Sequence, residues 1–295
     1  MKIILLGPGL MGSQIACEYA LGGHEVVVLA RRPDVGRERI ERGFTTAREH
    51  ELATPDQIAA ARERLMIARE VDGADGAQVI VESVVEDLVE KKTALLPVVS
   101  RNPDAVVATN TSSIPITAIG AATGAAERTV GVHYWNPPLL MPMVEIIRGD
   151  ETAAAVVTEM TTTLRALGKR PVLIDRDVKG FAWNRLQLAL LREAVWLVEN
   201  GVASPATVDE IVRDGLARRW RYTGPFQTAA LGGAATFERV ANLLWPALST
   251  ATSLENLRQW LDESPETTGP LRDRRDRGLA ADRRADLERE AGAGS

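Results

Sequence analysis

One histidine of this sequence stands between a hydroxyl-bearing segment and a carboxylate. His133 and Glu145 lie twelve residues apart, and Ser112 precedes both in the segment Asn110-Thr-Ser-Ser113. The chain has only three histidines. A histidine that is oriented by a carboxylate can exchange a proton with a substrate hydroxyl. These residue types therefore predict an acid–base group at His133, with Glu145 holding its second ring nitrogen.

A glycine-rich turn near the N-terminus predicts a nucleotide site. The motif Gly7-Pro-Gly-Leu-Met-Gly12 follows a short apolar strand and precedes a predicted helix. Gly7 permits a tight reversal, Gly9 lets the backbone approach a pyrophosphate, and Gly12 lets helix and strand pack closely. The amides of the first helical turn, at Leu10 and Met11, then face the phosphates. Proton transfer beside a bound nicotinamide predicts an oxidoreductase that interconverts an alcohol and a carbonyl group.

The end of the second predicted strand bears on which dinucleotide is bound. NAD enzymes usually carry Asp or Glu about 20 residues after the glycines, where it accepts from the ribose 2′-hydroxyl. This chain has Ala30 there, followed by Arg31 and Arg32. Two guanidinium groups can bind a 2′-phosphate. The pattern favours NADP over NAD; the alternative is that both arginines are ordinary solvated residues and the cofactor is NAD.

Composition limits the class of protein. The 295 residues, 45% of them hydrophobic, can form two domains. The 35 basic and 40 acidic side chains give a formal charge of −5, which argues against binding nucleic acid or an anionic membrane. A single cysteine and the lack of a His/Cys cluster argue against a disulfide and a metal site. The apolar N-terminus is too short for a signal peptide or a membrane span, so a cytoplasmic protein with a small-molecule substrate is expected.

Predicted strands and helices alternate through the first part of the chain. The class is α/β, with a Rossmann-type, doubly wound, mostly parallel sheet followed by an all-helical C-terminal domain. No strand is predicted within residues 34–70, which have the pattern of a helical pair. Two edge strands are predicted at 143–147 and 171–175.

Three regions follow from this pattern. Residues 1–178 are predicted to form the dinucleotide-binding domain, and residues 179–262 a helical substrate and dimerisation domain. Residues 263–295 alternate arginines with acids and contain few large apolar side chains. They are predicted to be a poorly ordered tail that can be removed without loss of activity.

Six motifs in register carry a family resemblance. In their order and spacing the chain resembles the 3-hydroxyacyl-CoA dehydrogenase family over about residues 1–260. The segments 136–145 and 219–226 are more similar to the branch that contains L-gulonate 3-dehydrogenase (lambda-crystallin) and L-carnitine dehydrogenase. The motifs are the glycine turn, Val81-Glu-Ser-Val-Val-Glu86 with Lys91, Asn110-Thr-Ser-Ser113, His133-Tyr-Trp-Asn-Pro137, Glu145 and Gly180-Phe-Ala-Trp-Asn-Arg185.

The resemblance implies further roles in the first part of the site. Ser112 and Asn184 match residues that bind the substrate oxygen. Glu86 and Lys91 match positions near the nicotinamide ribose, and Asn110 lies beside the nicotinamide end. Taken alone, Glu86 and Lys91 are an ordinary charge pair at the start of a helix, and the segment at Asn110 is an ordinary helix-capping sequence.

The resemblance also concerns the second domain. Arg219 or Arg221 is expected to pair with a substrate carboxylate, and Trp135 to form an aromatic wall. The alternative is that the two arginines are charged residues at an exposed helix end. A helical second domain of this apolar content often dimerises in the family that the chain resembles, so the resemblance implies a homodimer.

The charge pattern bears on the substrate. In the family, positive charge for CoA phosphates comes from the helical segment after the second strand. Here residues 33–70 contain no lysine, and their seven arginines are balanced in charge by eight acidic residues. The sequence therefore favours NADP-dependent hydride transfer on a 3-hydroxy or 3-oxo acid, free or carrier-bound. Alternatives are an NAD(P)-dependent 3-hydroxyacyl-CoA dehydrogenase and, in another class, a dinucleotide-binding structural or sensor protein.

Overall fold

A computed structural model describes residues 1–69, 71, 74–255, 257 and 268–293. The chain divides into two compact units. The first contains Met1–Ala182 and the C-terminal segment from Arg272, and the second contains Trp183–Leu271. The division lies close to the predicted boundary after residue 178.

One eight-stranded sheet forms the centre of the first unit. Its order is β3-β2-β1-β4-β5-β6-β7-β8, and every neighbouring pair is parallel except β6 and β7. The order reverses at β1, which places a crevice for ligands at the carboxyl end of that strand. The predicted Rossmann-type sheet is therefore confirmed. The strands are β1 Lys2–Leu6, β2 Glu25–Leu29, β3 Leu65–Ala68, β4 Val79–Glu82, β5 Val106–Thr109, β6 Thr129–Tyr134, β7 Met143–Arg148 and β8 Arg170–Ile174.

Helices cover both faces of this sheet. The central strands are apolar on both sides because helices bury each face, as in other parallel sheets. The helices of the first unit are α1 Leu10–Leu21, α2 Pro33–Glu49, α3 Pro55–Glu63, α4 Leu88–Arg101, α5 Ile116–Thr123 and α6 Ala154–Ala166, together with the C-terminal helix described below.

Two strand predictions need correction. The expectation of no strand in residues 34–70 is wrong, because Leu65–Ala68 pairs with β2 from Val26 onward. This edge strand is short and only half-buried, so it has little apolar signal of its own. Met143–Arg148, predicted as an edge strand, lies inside the sheet between β6 and β8. Only β8 of the two predicted edge strands is at the edge.

The second unit is helical, as the sequence predicts. Its helices are α7 Trp183–Glu199, α8 Pro205–Glu210, a π-helical turn Ile211–Leu216, α9 Ala217–Trp220, α10 Pro225–Gly232 and α11 Ala234–Leu244. Many large apolar side chains of these helices are exposed, including Phe226 at 90% and Leu231 at 79%.

The prediction of a poorly ordered tail is wrong for residues 268–293. They form a further helix, α12 Thr268–Ala293, and the part from Arg272 belongs to the first unit. Hydrogen bonds from arginine side chains hold this helix against the first unit. Arg283 donates to the carbonyls of Leu167 and Gly168 beyond α6, and Arg284 donates to the carbonyl of His50 beyond α2. Helix C-termini leave such carbonyls without intrahelical partners, and arginine side chains satisfy them.

Across the part of the chain that the structure describes, none of the helices has both the length and the apolar character that a membrane crossing requires.

Candidate active site

The carboxyl ends of four strands meet at one edge of the sheet. Leu6 of β1 is paired with Glu82 of β4, Glu82 with Thr109 of β5, and Thr109 with Gly131 of β6. The glycine turn starts directly after Leu6, and β6 continues two residues beyond Gly131 to His133. The predicted nucleotide turn and the predicted acid–base group therefore lie at the same edge, on the side where ligands bind in this type of sheet.

His133 and Glu145 form a buried pair across neighbouring strands. They are directly opposite in the antiparallel register of β6 and β7, and His133 Nδ1 lies 2.7 Å from Glu145 Oε2. The residues are only 6% and 1% exposed. A carboxylate accepts hydrogen bonds, so this contact favours the tautomer that carries the proton on Nδ1. Proton exchange between Nε2 and a substrate stays a prediction.

Residues after β8 also contact this pair. The backbone amide of Ala182 donates to Glu145 Oε1 at 3.1 Å. The ring of Phe181 meets the His133 ring edge-on, with 5.6 Å between centroids. Phe181 adopts a left-handed backbone with φ of +48°, which is unfavourable for a non-glycine residue and is held here by tertiary packing. Phe181 belongs to the sequence motif at residues 180–185, but no role was predicted for it from the sequence.

Asn110 ties two strand ends together. Its Oδ1 accepts from the backbone amide of Tyr134 at 2.9 Å, and its Nδ2 donates to Ser83 Oγ at 3.4 Å. Tyr134 directly follows His133, so Asn110 fixes the chain next to the acid–base group. A contact between Asn110 and the nicotinamide stays a prediction.

The glycine turn has the shape that a pyrophosphate requires. At Gly7, φ is +86° and a Cβ would lie 2.7 Å from the Ser83 carbonyl oxygen. At Gly12 a Cβ would lie 2.2 Å from the Gly7 carbonyl oxygen, so strand and helix meet without room for a side chain. At Gly9 a Cβ would meet no protein atom within 4 Å. The first turn of α1 has no acidic residue and no side-chain cap, so its amides suit an anion.

A buried ion network lies beside this turn. The ammonium of Lys91, 1% exposed, is 2.8 and 3.0 Å from the two oxygens of Glu82 and 3.2 Å from Glu86. Thr109 also donates to Glu82, at 2.6 Å. The charge pair of Glu86 and Lys91 is therefore present, and direct cofactor contact by either residue stays a prediction. The sequence missed Glu82, although a carboxylate at the end of an apolar strand signals a buried partner.

Glu86 holds the loop that carries Ser112. Its Oε1 accepts from Thr111 Oγ1 at 2.7 Å and from the backbone amides of Ser112 and Ser113 at 2.8 and 2.7 Å. Burial raises the pKa of the Glu86 carboxyl, but the Thr111 hydrogen bond, the charge of Lys91 and the bonds from Ser112 and Ser113 outweigh it and lower the pKa to about 2. The carboxylate therefore stays ionised, and the loop stays anchored, across the physiological pH range.

Other predicted residues lie in several places. Arg31 is 80% exposed in its side chain and pairs with Glu90 at 2.7 Å. Arg32 is the N-cap residue of α2 without a side-chain capping bond, and Trp135 is half-buried directly after β6. The second unit carries Asn184, Arg219 and Arg221, whose approach to His133 stays a prediction. Within the described residues, no three His, Cys, Asp or Glu side chains are grouped as a metal site.

This fold and site define a dinucleotide-binding dehydrogenase. Two family descriptions match the chain: the NAD-binding domain of 3-hydroxyacyl-CoA dehydrogenase over residues 2–178, and the C-terminal domain of the same enzyme over residues 180–266. The chain belongs to the 3-hydroxyacyl-CoA dehydrogenase family. It is an enzyme of the kind that acts on CH–OH donors, and the family resemblance in the sequence is confirmed.

Relatives of different substrate classes are similar to this chain. A 5-formyl-3-hydroxy-2-methylpyridine 4-carboxylate 5-dehydrogenase of Mesorhizobium japonicum is 34% identical over 84% of this chain and 81% of its own. A 3-hydroxybutyryl-CoA dehydrogenase of Mycobacterium tuberculosis is 34% identical over 83% and 86%. An L-carnitine dehydrogenase of Streptomyces coelicolor is 32% identical over 79% and 73%.

A solved structure matches nearly the whole chain. It is that of a 5-formyl-3-hydroxy-2-methylpyridine 4-carboxylic acid 5-dehydrogenase, an NAD⁺-dependent dismutase. The TM-score is 0.84 at 30% identity, and the match covers 97% of this chain and 98% of that one.

Proposed function

We propose that this chain is an NAD-dependent dehydrogenase that interconverts a hydroxyl and a carbonyl group on a small free acid, with 3-hydroxy and 3-oxo acids as the first class to test. The observation that carries the proposal is the 2.7 Å contact of His133 with Glu145 at the sheet edge that also bears the glycine turn. A bound nicotinamide supplies or accepts the hydride.

The protein's part in the reaction is proton transfer and orientation. In the oxidation direction, Nε2 of His133 accepts the proton of the substrate hydroxyl, and Glu145 stabilises the imidazolium that forms. In the reduction direction, Nε2 returns that proton to the carbonyl oxygen. Ser112, anchored by Glu86, is proposed to donate a hydrogen bond to the same substrate oxygen, together with Asn184 of the second unit.

The proposed cofactor is NAD, in place of the NADP that the sequence favoured. The family's first domain is an NAD-binding domain, and the solved relative is NAD⁺-dependent. Arg31, one of the two arginines on which the NADP prediction rests, pairs with Glu90. An exposed pair of this kind contributes only about 0–1 kcal/mol, so Arg31 remains able to leave it, and NADP is the alternative to test.

The double variant Arg31→Ala/Arg32→Ala tests the cofactor choice. We expect the wild-type protein to bind NADH more tightly than NADPH, and the double variant to change both dissociation constants by similar, small factors. Fluorescence titration with each cofactor measures this. Arg42→Ala, which removes an arginine paired with Glu38 on α2, is the matched control.

The opposite pattern would contradict the NAD assignment. Tighter NADPH binding by the wild type, lost selectively in the double variant and kept in Arg42→Ala, would mean that the two arginines bind a 2′-phosphate.

A free acid is proposed over a CoA thioester on two grounds. The arginines of α2 and α3 are partly engaged, since Arg62 forms a forked pair with Glu41 and Arg39 donates to the Pro8 carbonyl. The solved relative that matches almost the whole chain is named for a pyridine carboxylic acid. The alternative is a 3-hydroxyacyl-CoA dehydrogenase, the activity for which the M. tuberculosis relative is named.

Paired substrates decide between these two. The absorbance change of NADH is followed with 3-oxo acids and an aromatic aldehyde acid, and with the CoA thioesters of the same 3-oxo acids. We expect turnover with a free acid. Turnover with thioesters alone would move the enzyme to the acyl-CoA class, and tight NADH binding without turnover on any of them would favour a structural or sensor protein.

We also propose a homodimer formed through the second unit. Its helices expose large apolar side chains that a second copy would cover, among them Phe226 and Leu231. We expect light scattering to give twice the mass of one chain, and Phe226→Asp/Leu231→Asp to give a monomer. Met66→Asp, a matched change at an exposed residue of β3, should remain dimeric. A monomeric wild type would contradict the proposal.

A further inference from the structure

A buried lysine is bonded to the loop that separates His133 from Glu145. The side chain of Lys169 is 0% exposed, and its ammonium donates to the carbonyls of Pro138 at 2.6 Å and Met141 at 2.9 Å. It also lies 2.6 Å from Glu18 Oε1 of α1. An ammonium has three donors, and these contacts use all three. Burying a charge is costly unless it is bonded in this way, so the lysine is committed to the loop.

That loop, residues 135–142, joins the two strands that carry the acid–base pair. It begins two residues after His133 and ends three before Glu145. Two further hydrogen bonds hold this loop. The Arg170 amide donates to the Pro142 carbonyl at 2.8 Å, and the Leu139 amide donates to Gln14 Oε1 of α1 at 3.4 Å. Lys169 therefore holds the connection between the two strands that carry His133 and Glu145.

The C-terminal helix fixes the turn that presents Lys169. Arg283 of α12 is 4% exposed and donates to the Gly168 carbonyl at 2.5 Å and the Leu167 carbonyl at 3.4 Å. Gly168 has a φ of +69°, and a Cβ there would lie 3.0 Å from Arg283 Nη2. A side chain at Gly168 would therefore be strained in its backbone and would press on Arg283.

Charge also connects these groups. The Glu18 carboxylate faces both Lys169 and Arg283. Burial raises the pKa of Glu18 and lowers the pKa of Lys169, and the attraction between the two charges partly opposes both shifts. Loss of Arg283 would remove one of the two cations that stabilise this buried carboxylate.

The helix lies outside the part of the chain that the family descriptions cover. Their second domain ends at residue 266, before α12 begins. The match to the pyridine carboxylic acid dehydrogenase covers 97% of this chain and therefore extends into α12.

We infer that Arg283 and Lys169 are positioning residues for the His133–Glu145 pair. The C-terminal helix fixes the turn at Gly168, the turn fixes Lys169, and Lys169 fixes the loop between the two catalytic strands. The kinetic part of the test rests on the proposed function; the spectroscopic part does not.

The test compares Arg283→Met with Arg283→Lys and with Arg289→Met. Arg289 is on the same helix with a 69% exposed side chain, so its replacement is a matched surface control. The first readout is the low-field proton NMR signal of His133 Nδ1–H, which a short bond to a carboxylate protects from exchange with water. Its absence in His133→Asn assigns it. The second readout is kcat per NADH-binding site, with KM for substrate measured beside it.

We expect Arg283→Met to lose the low-field signal through exchange and to lower kcat by about 10- to 100-fold, with less change in KM, because a small misplacement of a catalytic group costs that much. Arg283→Lys should recover most of both, and Arg289→Met should match the wild type. If Arg283→Met does not fold, Arg283→Gln, which keeps one amide donor, should show the same loss in weaker form.

An unchanged His133 signal and unchanged kcat per binding site in folded Arg283→Met or Arg283→Gln would overturn the inference. If no substrate turns over, the proposed function fails, and the NMR signal alone still decides whether the helix positions the pair.

Discussion

Replacing His133 by alanine is expected to lower kcat by roughly 10²–10⁴-fold, the range that a positioned acid–base group contributes. The dissociation constant for NADH should stay nearly unchanged, because His133 lies on β6 and the glycine turn follows β1. Steady-state rates and NADH fluorescence titration measure the two quantities on the same preparation. A large loss of kcat with an unchanged dissociation constant for NADH would identify His133 as part of the chemistry.

Two variants separate this from a structural effect. Alanine leaves the buried carboxylate of Glu145 without the imidazole, which destabilises the site. His133→Asn keeps an amide donor for Glu145 but cannot accept a proton, so it should be folded and equally slow. His50→Ala, at the end of α2, should behave as the wild type. Wild-type rates in His133→Asn would exclude His133 as the acid–base group, and loss of NADH binding together with rate would indicate misfolding.

Replacing Gly9 by valine is expected to weaken NADH binding by roughly 100-fold, or about 3 kcal/mol, the worth of one to two hydrogen bonds to a charged group. Gly9 has ordinary extended angles, φ −74° and ψ −161°, and a Cβ there meets no protein atom within 4 Å. The side chain would therefore leave the fold intact and fill the space in front of the helix N-terminus. Fluorescence titration measures the loss, and thermal unfolding should show an unchanged Tm.

Gly278→Val is the matched control for that variant. Gly278 also has open space around its Cβ position but lies on α12, so NADH binding should not change. Gly12→Val provides the contrasting case, because its Cβ would lie 2.2 Å from the Gly7 carbonyl oxygen and should destabilise the fold itself. Wild-type NADH affinity in a folded Gly9→Val protein would mean that the pyrophosphate does not lie at this turn.

The sequence predicted the parts of the site that depend on strand order. Parallel strands place their carboxyl ends along one edge, so a glycine turn after β1 and a histidine near the end of β6 had to lie on the same side. The pairing of His133 with Glu145 was predicted from their residue types and spacing, and the structure shows that the antiparallel register of β6 and β7 brings the two residues opposite each other. Periodicity and motif order were sufficient for these features.

Contacts through backbone carbonyls could not be predicted in the same way. Strand β3 is held by pairing with β2, and only four residues contribute to it. Helix α12 is docked by Arg283 and Arg284 on the ends of other helices, and alternating arginines and acids give no sign of which ones will be buried. The segment is charged, as its composition indicates. Its order depends on hydrogen bonds to backbone carbonyls, and a pattern of side chains cannot show where those carbonyls lie.

The buried ion pairs are an intermediate case. A glutamate at the end of an apolar strand, such as Glu82, signals that some partner must exist, whereas the sequence around Lys169 does not show that this lysine is buried. The identity of the partner depends on tertiary placement, which brings Lys91 to Glu82 and Glu18 to Lys169. The sequence can therefore indicate that a buried charge has a partner, but it cannot identify that partner.

Transfer of deuterium shows whether the protein moves a hydride between NADH and a carbonyl carbon with His133 as the proton donor. The protein is incubated with NADH that is deuterated at the reactive C4 position and with a carbonyl acid that it turns over, and the product is analysed by mass spectrometry. The proposed mechanism predicts one deuterium on the carbinol carbon of the product, and almost none in the same time with His133→Asn. Oxidation of NADH with no deuterium in the product, or equal transfer by His133→Asn, would contradict it.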